Sequence, residues 1–591
     1  MFDKPWLKRI GAPLFALALA ACATGSIPGA AAPPRGEAMV AAANPHAVEA
    51  ALEILREGGS AVDAAIAAEL VLGLVEPQSS GIGGGGFLLY YDAQSERISG
   101  YDGREVAPAA ARPDLFLNAR GEPLSFLDAQ ASGLSVGAPL LAPMLKMAHE
   151  AHGRLAWARL FEPAIRLAEQ GFAVSPRLAA MVAAAGQRAR LRADFSTRAY
   201  FFDRRGNPVQ TGDMLRNPEY AATLRAIAEQ GPRAMTEGPI ADGIVAAVRR
   251  NPRAGALTHA DLRDAQPRRF EPVCGAYRVY RVCSTNAPAS GNALIAILGL
   301  YERARPEPQG VQSIDDWSAF LWASRLAYAD RDYYMADDEV VPVPTVELIA
   351  PAYLDARAML IDVDRAPAAV NPGAPSGIGD LFNRWGRAAS DDSGTTHISI
   401  VDAWGNAVAL TATVESAFGA QRMTGGFLLN NQLTDFAFQP NLNGRPVANA
   451  VAPGKRPRSS MIPTIVTDRN GELVLVTGSP GGSSIIAYVA RSTIGMLDWN
   501  QPVQQAIDTG NLIARTGQIR AEVQRLPPDL EAGLRERGWD LQPMGPAEGS
   551  GIHAIRVTAH GLEGGADPRR EGIVGRVPAP AASASRAPAT Q

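Results

Sequence analysis

Two threonines stand in a pattern that could supply a nucleophile and a hydrogen-bond partner for it. The stretch from Gly394 to Leu410 reads Gly-Thr-Thr-His-Ile-Ser-Ile-Val-Asp-Ala-Trp-Gly-Asn-Ala-Val-Ala-Leu, with apolar residues alternating on both sides of a turn sequence. This alternation predicts a β-hairpin centred on Trp404. In that register Thr395 lies opposite Thr413 with Cβ atoms about 5 Å apart, so that one hydroxyl can hydrogen-bond the other. A pair that only stabilises the strands is the alternative.

Cleavage of the chain before Thr395 would make this residue a complete catalytic unit. Residues 365–390 are rich in Gly, Pro and Asp, which predicts an exposed linker. A cut between Gly394 and Thr395 would free the α-amino group of Thr395. Such a group has a pKa of about 8, so a useful fraction is neutral near pH 7 and can accept the hydroxyl proton.

A glycine-rich segment offers donors for the oxyanion that such a nucleophile would create. The sequence Thr-Gly-Ser-Pro-Gly-Gly-Ser-Ser occupies residues 477–484, between a predicted buried strand and a helix-like apolar run. Gly481 and Gly482 could present successive backbone N–H groups as an oxyanion hole. A plain glycine-rich turn is the alternative.

Two other glycine motifs match known patterns in form only. The sequence from Gly81 to Gly86 fits GxGxxG, but it follows a helix and precedes a strand, the reverse of a dinucleotide fingerprint. It predicts close backbone approach inside a core. Ser135 lies in a GxSxG pattern with only a weak strand before it, so the nucleophile elbow of an α/β-hydrolase is a distant alternative.

No metal site is predicted. His149 and His152 are one residue short of the spacing that places two imidazoles on one helix face.

Length and composition limit the class of protein. A chain of 591 residues exceeds a single simple core, and its 47% apolar and 20% charged residues fit a soluble globular protein. The order of the predicted elements, helices first and strands later, favours sheets covered by helices over alternating βαβ units. With 56 basic and 60 acidic residues, a net charge of −4 argues against a nucleic-acid partner.

The N-terminus has the composition of an export signal. Basic residues precede an apolar run at 12–21 that is too short to span a bilayer, and Leu-Ala-Ala-Cys closes it at Cys22. We predict a signal peptide with a lipobox at 1–22 and lipidation of Cys22; an ordinary signal peptide is the alternative. Residues 23–39 are predicted to form a tether, and 578–591 a disordered tail.

The remaining cysteines, Cys274 and Cys283, flank a strand-like run with a possible turn at Arg278–Val279. That turn would place them opposite each other, and a disulfide would suit an oxidising compartment. A register shift of one residue would abolish the pair, so both outcomes are open.

An ordered set of motifs resembles the γ-glutamyltransferase (γ-glutamyltranspeptidase) family over about residues 40–575. In the second half the motifs are Thr395-Thr-His-Ile-Ser-Ile-Val-Asp, Gly405-Asn-Ala-Val-Ala, Asn430-Asn-Gln-Leu-Thr-Asp-Phe436, Lys455-Arg-Pro-Arg-Ser-Ser-Met461, Gly478-Ser-Pro-Gly-Gly-Ser and Gly565-Ala-Asp-Pro-Arg569. In the first half they are Ala61-Val-Asp-Ala-Ala, Gly83-Gly-Gly-Gly-Phe87 and Asp102-Gly-Arg-Glu-Val-Ala-Pro108. No single motif is decisive, but the ordered set is specific.

The resemblance implies an α+β fold, a four-layer αββα sandwich of the N-terminal-nucleophile hydrolase type. It implies a proenzyme that cuts itself between Gly394 and Thr395 into a large chain, 40–394, and a small catalytic chain, 395–577, which remain together as a heterodimer. Thr395 would attack a γ-glutamyl amide, Thr413 would hydrogen-bond its hydroxyl, and Gly481 and Gly482 would bind the oxyanion. No cofactor is expected.

The resemblance also implies a substrate pocket. Arg104, Ser459 and Ser460 would bind the α-carboxylate of the donor. Gln432, Asp435 and Glu415 would accept from its α-ammonium, although many family members carry asparagine in place of Glu415. The segment 437–454, which corresponds to the lid of the family, looks short and lacks the usual tyrosine.

These features together lead us to expect a periplasmic, lipid-anchored enzyme that cleaves γ-glutamyl amides such as glutathione. The acyl group would pass to water or to the amine of an amino acid or peptide. A relative acting on glutaryl-cephalosporins or on poly-γ-glutamate is a close alternative. An inactive lipid-anchored binding protein is a more distant one.

Overall fold

The computed structural model describes residues 36–385, 394–515, 517–527, 529–545 and 549–579. The predicted signal peptide, Cys22 and most of the predicted tether and tail lie outside the described residues. So do residues 386–393, directly before the predicted cleavage site.

The described residues form a mixed α/β structure. Its strands are β1 Ala38–Ala43, β2 Gly85–Asp92, β3 Arg97–Asp102, β4 Phe172–Ala173, β5 Met214–Leu215, β6 Arg268–Phe270, β7 Val273–Tyr277, β8 Tyr280–Ser284, β9 Thr396–Val401, β10 Ala407–Thr413, β11 Met423–Thr424, β12 Phe427–Leu428, β13 Asn441–Leu442, β14 Arg445–Pro446, β15 Thr464–Thr467, β16 Leu473–Gly478, β17 Leu512–Ile513, β18 Ile519–Ala521, β19 Leu541–Pro543, β20 His553–Thr558, β21 Gly561–Ala566 and β22 Gly572–Val577.

Helices alternate with these strands in blocks. They are α1 Pro45–Arg56, α2 Ala61–Val75, α3 Phe126–Gln130, α4 Leu141–His152, α5 Glu162–Gln170, α6 Pro176–Ala183, α7 Ala185–Leu191, α8 Phe195–Phe201, α9 Pro218–Gln230, α10 Gly238–Val248, α11 His259–Asp264, α12 Gly291–Ala304, α13 Ile314–Tyr334, α14 Pro351–Ala358, α15 Ile485–Leu497, α16 Val503–Asp508 and α17 Leu530–Glu536. Short 3₁₀ turns include Gln432–Asp435 and Gly482–Ser484. Within the described part of the chain, no helix is both long enough and apolar enough to span a membrane.

Two large antiparallel sheets form the centre of the molecule. The first has the strand order β22-β1-β9-β10-β2-β3-β6, and the second has the order β21-β20-β16-β15-β8-β7. Antiparallel pairing throughout both sheets agrees with the prediction of sheets covered by helices. It excludes a fold built from alternating βαβ units.

Three apolar clusters show how the sheets and helices stack. One cluster holds side chains from both sheets, including Met39 and Leu89 from the first and Ile465 and Ile555 from the second. Helices α1 and α2 pack against the other face of the first sheet, the face that points away from the second sheet. Helices α12, α13 and α15 do the same for the second. Because successive side chains of a strand point to opposite faces, each sheet is buried on both sides.

The hairpin predicted around the site is confirmed, and a pair of helices packs beside it. Helices α1 and α2 occupy 45–75 and are separated at the Gly-Gly-Ser sequence of 58–60. Ser60 caps α2 in a reciprocal hydrogen-bonded box with Asp63. In the hairpin, Ala407 pairs with Val401 and Ala412 pairs with Thr396, which is the register predicted for a turn centred on Trp404.

The predicted boundary of the tether is wrong at its C-terminal end. Ala38 and Met39 are the first residues of β1, buried between β22 and β9. The small residues of this strand allow close packing between two neighbours, although their composition resembles a linker. The predicted end of the small chain, Val577, coincides with the last residue of β22.

The cysteine hairpin also has the predicted register. Cys274 on β7 pairs with Cys283 on β8, and a disulfide joins them in the structure. Cys283 is fully buried in the cluster between the sheets.

A buried carboxyl group on α2 makes the stability of the fold depend on pH. Burial, aided by Glu76 and opposed by Ser80, raises the pKa of Glu69 to about 8 from 4.5. The stability contributed by protonated Glu69 is therefore complete below pH 4.5 and is lost as the pH rises through 8. We predict that Glu69→Gln is more stable than wild type by roughly 2 to 4 kcal/mol at pH 8, with little difference at pH 4.5.

Urea denaturation at the two pH values measures this difference. The matched control is Glu229→Gln on the exposed face of α9. This substitution should change the free energy of unfolding only slightly, and by the same amount at pH 4.5 and pH 8. Equal effects of Glu69→Gln at pH 4.5 and pH 8 would contradict the prediction.

Candidate active site

The two threonines of the hairpin form the predicted hydroxyl pair. The Thr395 hydroxyl donates to Thr413 Oγ1 at 3.1 Å, and Thr413 Oγ1 also accepts from the backbone N–H of Glu415 at 2.8 Å. Both threonines are buried, with Thr395 5% exposed. The hairpin register determines this contact, because Thr395 directly precedes β9 and Thr413 ends β10.

The backbone at Thr395 has an unusual conformation. Its φ angle is 93°, a region in which a β-branched residue is strained. Its N–H donates to the carbonyl oxygen of Ser79 at 3.1 Å, and Arg570 Nη1 donates to its carbonyl oxygen at 3.4 Å. A Cβ atom at Gly394 would lie 1.5 Å from the Glu415 carbonyl oxygen, so only glycine fits directly before the threonine.

Glycines on the neighbouring strand allow the same close packing. A Cβ atom on Gly84 would lie 2.0 Å from the carbonyl oxygen of Thr413. The glycine run before β2 therefore serves close backbone approach, as the sequence predicted.

The proposed oxyanion donors lie at the start of a buried helix. Gly481 precedes the 3₁₀ turn at 482–484, which continues directly into α15. A helix N-terminus carries partial positive charge and exposed N–H groups, which suits an oxyanion. The Tyr328 hydroxyl holds this turn by donating to the Ser483 carbonyl oxygen at 2.5 Å.

Arg104 lies at the base of the site and is fully buried. Its Nε donates to the Pro457 carbonyl oxygen at 3.0 Å and its Nη2 to the Arg458 carbonyl oxygen at 2.5 Å. Nη2 also forms an ion pair with Asp435 Oδ2, which accepts from Gln432 Nε2 at 2.9 Å as well. The sequence predicted Arg104 and Asp435 as ligands of opposite substrate charges, and the structure pairs them with each other.

Several buried polar atoms of this pocket lack a hydrogen-bond partner among the described residues: Arg104 Nη1, Gln432 Oε1 and Asp435 Oδ1. Leaving such atoms unpaired in a buried place is costly. One is a cationic donor and two are acceptors, so the set matches a ligand that carries both a carboxylate and an ammonium group.

Ser459 and Ser460 are buried and are held by Ser290 and Arg331. Arg331 Nη2 donates to Ser460 Oγ, and Ser290 Oγ donates to the Ser459 carbonyl oxygen at 2.6 Å. Asp332 lies beside Arg331. Although burial opposes ionisation, Arg458, Arg331 and Arg515 lower the pKa of Asp332 below its ordinary value. The wall behind the serines therefore carries net positive charge.

Glu415 lines the same cavity, and the segment 437–454 contacts residues beside it. Glu415 Oε2 accepts from Asn431 Nδ2, and Asn449 in the lid segment donates to the Asp435 carbonyl oxygen at 2.6 Å. Asn449 Oδ1 accepts from the Arg458 N–H at 2.9 Å. The Lys455 ammonium donates to the Ala448 carbonyl oxygen at 2.6 Å. The segment 437–454 is thus held by the side chain of Asn449 and by the neighbouring Lys455.

A small cavity of about 20 Å³ connects these groups. It is lined by Arg104, Thr395, Thr413, Glu415, Gln432, Asp435, Ser459, Ser460, Met461, Gly482 and Ile485. Every residue predicted for catalysis or substrate binding is in this set except Gly481, which is adjacent to Gly482. A space of this size holds about one water molecule.

The rejected motifs have structural roles. Ser135 is buried, and its hydroxyl donates to the Gln130 and Ser132 carbonyl oxygens, so it is not an exposed nucleophile. His149 contacts the Leu155 carbonyl oxygen, and His152 contacts the Tyr101 hydroxyl. Among the described residues no group of three or more His, Cys, Asp or Glu side chains is arranged to hold a metal.

Sequence reasoning missed residues that act through backbone or through other side chains. Ser79 presents a carbonyl oxygen to Thr395, Arg570 contacts the Thr395 carbonyl oxygen, and Arg331 holds Ser460. Ser79 lies just before the glycine run that resembles the family, which was the only signal for it. Nothing in the local sequence indicated the two arginines.

Comparison with known proteins identifies the family. Residues 47–577 match the family model described as Gamma-glutamyltranspeptidase. The chain is 35% identical over 544 residues to the glutathione hydrolase proenzyme of Escherichia coli strain K12, covering 90% of each chain. It is 31% identical over 545 residues to that of Bacillus subtilis strain 168, covering 91% of each. The protein belongs to the γ-glutamyltranspeptidase family.

The solved structure of an acylase has the same fold. The cephalosporin acylase from Bacillus halodurans superposes with a TM-score of 0.80 at 26% identity, covering 92% of this chain and 96% of that one. The fold is therefore of the N-terminal-nucleophile hydrolase type.

The threonine hydroxyl pair can be tested without altering the strand. Thr413→Val keeps the β-branched shape but removes the acceptor for the Thr395 hydroxyl and the Glu415 N–H. If the chain cuts itself before Thr395, as the family resemblance implies, we predict that Thr413→Val slows the cutting at least about 10-fold, because the attacking hydroxyl would lose the group that orients it. Thr413→Ser, which retains the hydroxyl, should restore most of the rate. Denaturing gels over a time course measure the cutting, and a normal rate for Thr413→Val would contradict this role.

Proposed function

We propose that this protein is a self-processing γ-glutamyltransferase and hydrolase that cleaves γ-glutamyl amides such as glutathione. The observation that carries the proposal is the convergence of the Thr395–Thr413 hydroxyl pair and the Arg104–Asp435–Gln432 set on one cavity. The proposed architecture is a four-layer αββα sandwich, supported by the apolar cluster between the two sheets and by the helices that pack on their outer faces.

The first proposed reaction is cleavage of the chain's own peptide bond. The Thr395 hydroxyl attacks the Gly394 carbonyl carbon, the C–N bond breaks, and the acyl group moves from nitrogen to oxygen as an ester. Water then hydrolyses the ester, which leaves a carboxylate on Gly394 and frees the hydroxyl and amine of Thr395. The strained φ angle of Thr395 favours this step, since breaking the bond releases the constraint.

In the mature enzyme the freed amine would take the hydroxyl proton as Thr395 Oγ1 attacks the γ-carbonyl of the donor. The N–H groups of Gly481 and Gly482 would stabilise the oxyanion. When the intermediate collapses, the leaving amine receives the proton and a γ-glutamyl ester remains on Thr395. Water converts this ester to glutamate, and an amino acid or peptide amine converts it to a new γ-glutamyl amide.

The polarity of the pocket supports a donor with both a carboxylate and an ammonium. Arg104 Nη1 would bind the α-carboxylate, with Ser459 and Ser460 beside it. Asp435 Oδ1, Gln432 Oε1 and the carboxylate of Glu415 would accept from the ammonium. On binding, the substrate would thus replace the Arg104–Asp435 ion pair with two new pairs: its carboxylate with Arg104 and its ammonium with Asp435. A glutaryl donor lacks the ammonium and would leave these acceptors unpaired.

Paired anilide donors test this assignment. We predict that wild type prefers γ-glutamyl p-nitroanilide over glutaryl p-nitroanilide by at least about 100-fold in kcat/KM, because hydrogen bonds to charged groups contribute about 1.5 to 3 kcal/mol each. Asp435→Asn should reduce this ratio of kcat/KM values, because it should lower kcat/KM mainly for the γ-glutamyl donor. Thr395→Ala is the inactive control.

The outcomes separate the alternatives. Equal or faster cleavage of the glutaryl donor would identify an acylase related to the structural neighbour. Preference for γ-glutamyl chains over single residues would identify a poly-γ-glutamate enzyme. A wild-type chain that neither cuts itself nor cleaves any donor would identify a binding protein.

We further propose that the protein is exported and anchored to a bacterial membrane through lipid on Cys22, so that it acts in the periplasm. The support is the order of basic, apolar and lipobox-like residues in 1–22. We predict that full-length protein fractionates with membranes and that Cys22→Ala moves it to the soluble periplasmic fraction. An unchanged distribution would contradict lipidation.

A further inference from the structure

A partly buried ion pair, Arg177–Glu76, lies near Thr395 but does not line the cavity. Arg177, the second residue of α6, donates from Nη1 to Glu76 Oε2 at 3.0 Å and to Ser79 Oγ at 3.2 Å. The Glu76 side chain is 2% exposed and the Arg177 side chain 16%. The pair is not among the residues that line the substrate cavity.

This ion pair fixes the peptide group that faces the Thr395 nitrogen. Glu76 follows the last residue of α2, and its carbonyl oxygen accepts from the Ser79 N–H at 2.9 Å. The Ser79 hydroxyl is held by the Glu76 carboxylate at 3.4 Å and by Arg177. The Ser79 carbonyl oxygen then accepts from the N–H groups of Thr395 at 3.1 Å and Val414 at 3.2 Å.

We infer that Arg177 and Glu76 are positioning residues for the α-amino group of Thr395 and act through Ser79. The inference rests on the proposed function, in which that amine is the base. A carbonyl oxygen is only an acceptor, so it keeps one N–H of the freed amine directed away from the Thr395 hydroxyl. With one N–H fixed in this way, the neutral amine can rotate less. Its lone pair can then point in fewer directions, and one of these is toward the hydroxyl proton.

The pair also balances charge near this amine. The charged and titratable groups around it come from several elements: Glu69 and Glu76 from α2 and the turn after it, Arg177 from α6, Tyr488 from α15, and Asp567, Arg570 and Glu571 from the turn before β22. Arg570 contacts the Thr395 carbonyl oxygen directly. If Glu76 loses its charge, Arg177 and Arg570 remain, and both disfavour protonation of the amine.

The decisive variant is Glu76→Gln, which keeps the side-chain shape and removes one negative charge. We predict that the acidic limb of the kcat/KM profile moves to lower pH by about half to one unit, because an uncompensated positive charge lowers the pKa of the amine. KM should remain within about twofold, since the pair does not line the substrate cavity. Arg177→Lys keeps the charge and should leave the limb near its wild-type position.

A double variant distinguishes an effect of unbalanced charge from an effect of lost structure. Glu76→Gln with Arg177→Gln removes both charges, so the limb should return toward wild type while kcat falls because Ser79 is less well held. The matched control is Glu53→Gln, which removes a carboxylate that pairs with Arg159 and Arg166 at the surface. This control should change neither the limb nor kcat.

The possible results each decide the inference. An unmoved acidic limb in active Glu76→Gln, or a raised KM with unchanged kcat, would overturn it. If Glu76→Gln folds but stays uncut while the double variant cuts and turns over, charge imbalance at the Thr395 nitrogen is the cause, as inferred. If both fold and stay uncut, the pair serves only the precursor and the inference fails. Failure of the proposed function would instead appear in wild type, as absence of cutting and turnover.

Discussion

The hydrogen bond between the Thr395 and Thr413 hydroxyls is the contact on which the site depends, and the register of the β9–β10 hairpin controls it. A slip of one residue would turn Thr395 to the other face of the sheet and separate the pair. The first sheet protects this register by burying both of its faces and by placing β9 and β10 between other strands. The catalytic geometry is therefore set by the core of the molecule rather than by a surface loop.

Glycines allow the rest of the site to approach that hydroxyl pair. Gly84 leaves room for the Thr413 carbonyl oxygen, and Gly394 leaves room for the Glu415 carbonyl oxygen. A side chain at either position would have to displace backbone, which is held by the sheet. The strained Thr395 backbone lies between these two close approaches, where the surrounding structure can keep it in place.

The site separates two electrostatic tasks near Thr395. In the pocket, Arg104 and Asp435 form a buried pair whose free atoms suit a ligand with both charges. Outside the cavity lining, Arg177 and Glu76 hold the Ser79 peptide against the Thr395 nitrogen. The carboxylate in each pair is buried, with Glu76 2% and Asp435 5% exposed at the side chain.

Sequence reasoning found the parts of the site that depend on local pattern. Apolar alternation and one turn were enough to pair Thr395 with Thr413, and resemblance to a family named residues that line the same cavity. It missed β1, because four of the six residues of this strand are alanine and only Val40 is β-branched, so that the segment resembles a tether. No strand was predicted for the glycine-rich β21 and β22 either.

Contacts between distant parts of the chain were also not predicted from the sequence. The Ser79 carbonyl oxygen contacts the Thr395 N–H, and the Arg177 guanidinium contacts the Ser79 hydroxyl, through tertiary packing alone. No pattern of residue types signals a backbone acceptor. Such contacts could be found only once the helices were placed against the hairpin.

The central claim is that Thr395 frees its own amine and then uses it as the base. N-terminal sequencing of the chains present in purified, catalytically active enzyme tests this most directly. The account predicts one chain that begins Thr-Thr-His-Ile, in amounts that track activity. Full activity from an uncut chain, or from a small chain that begins at any other residue, would contradict it.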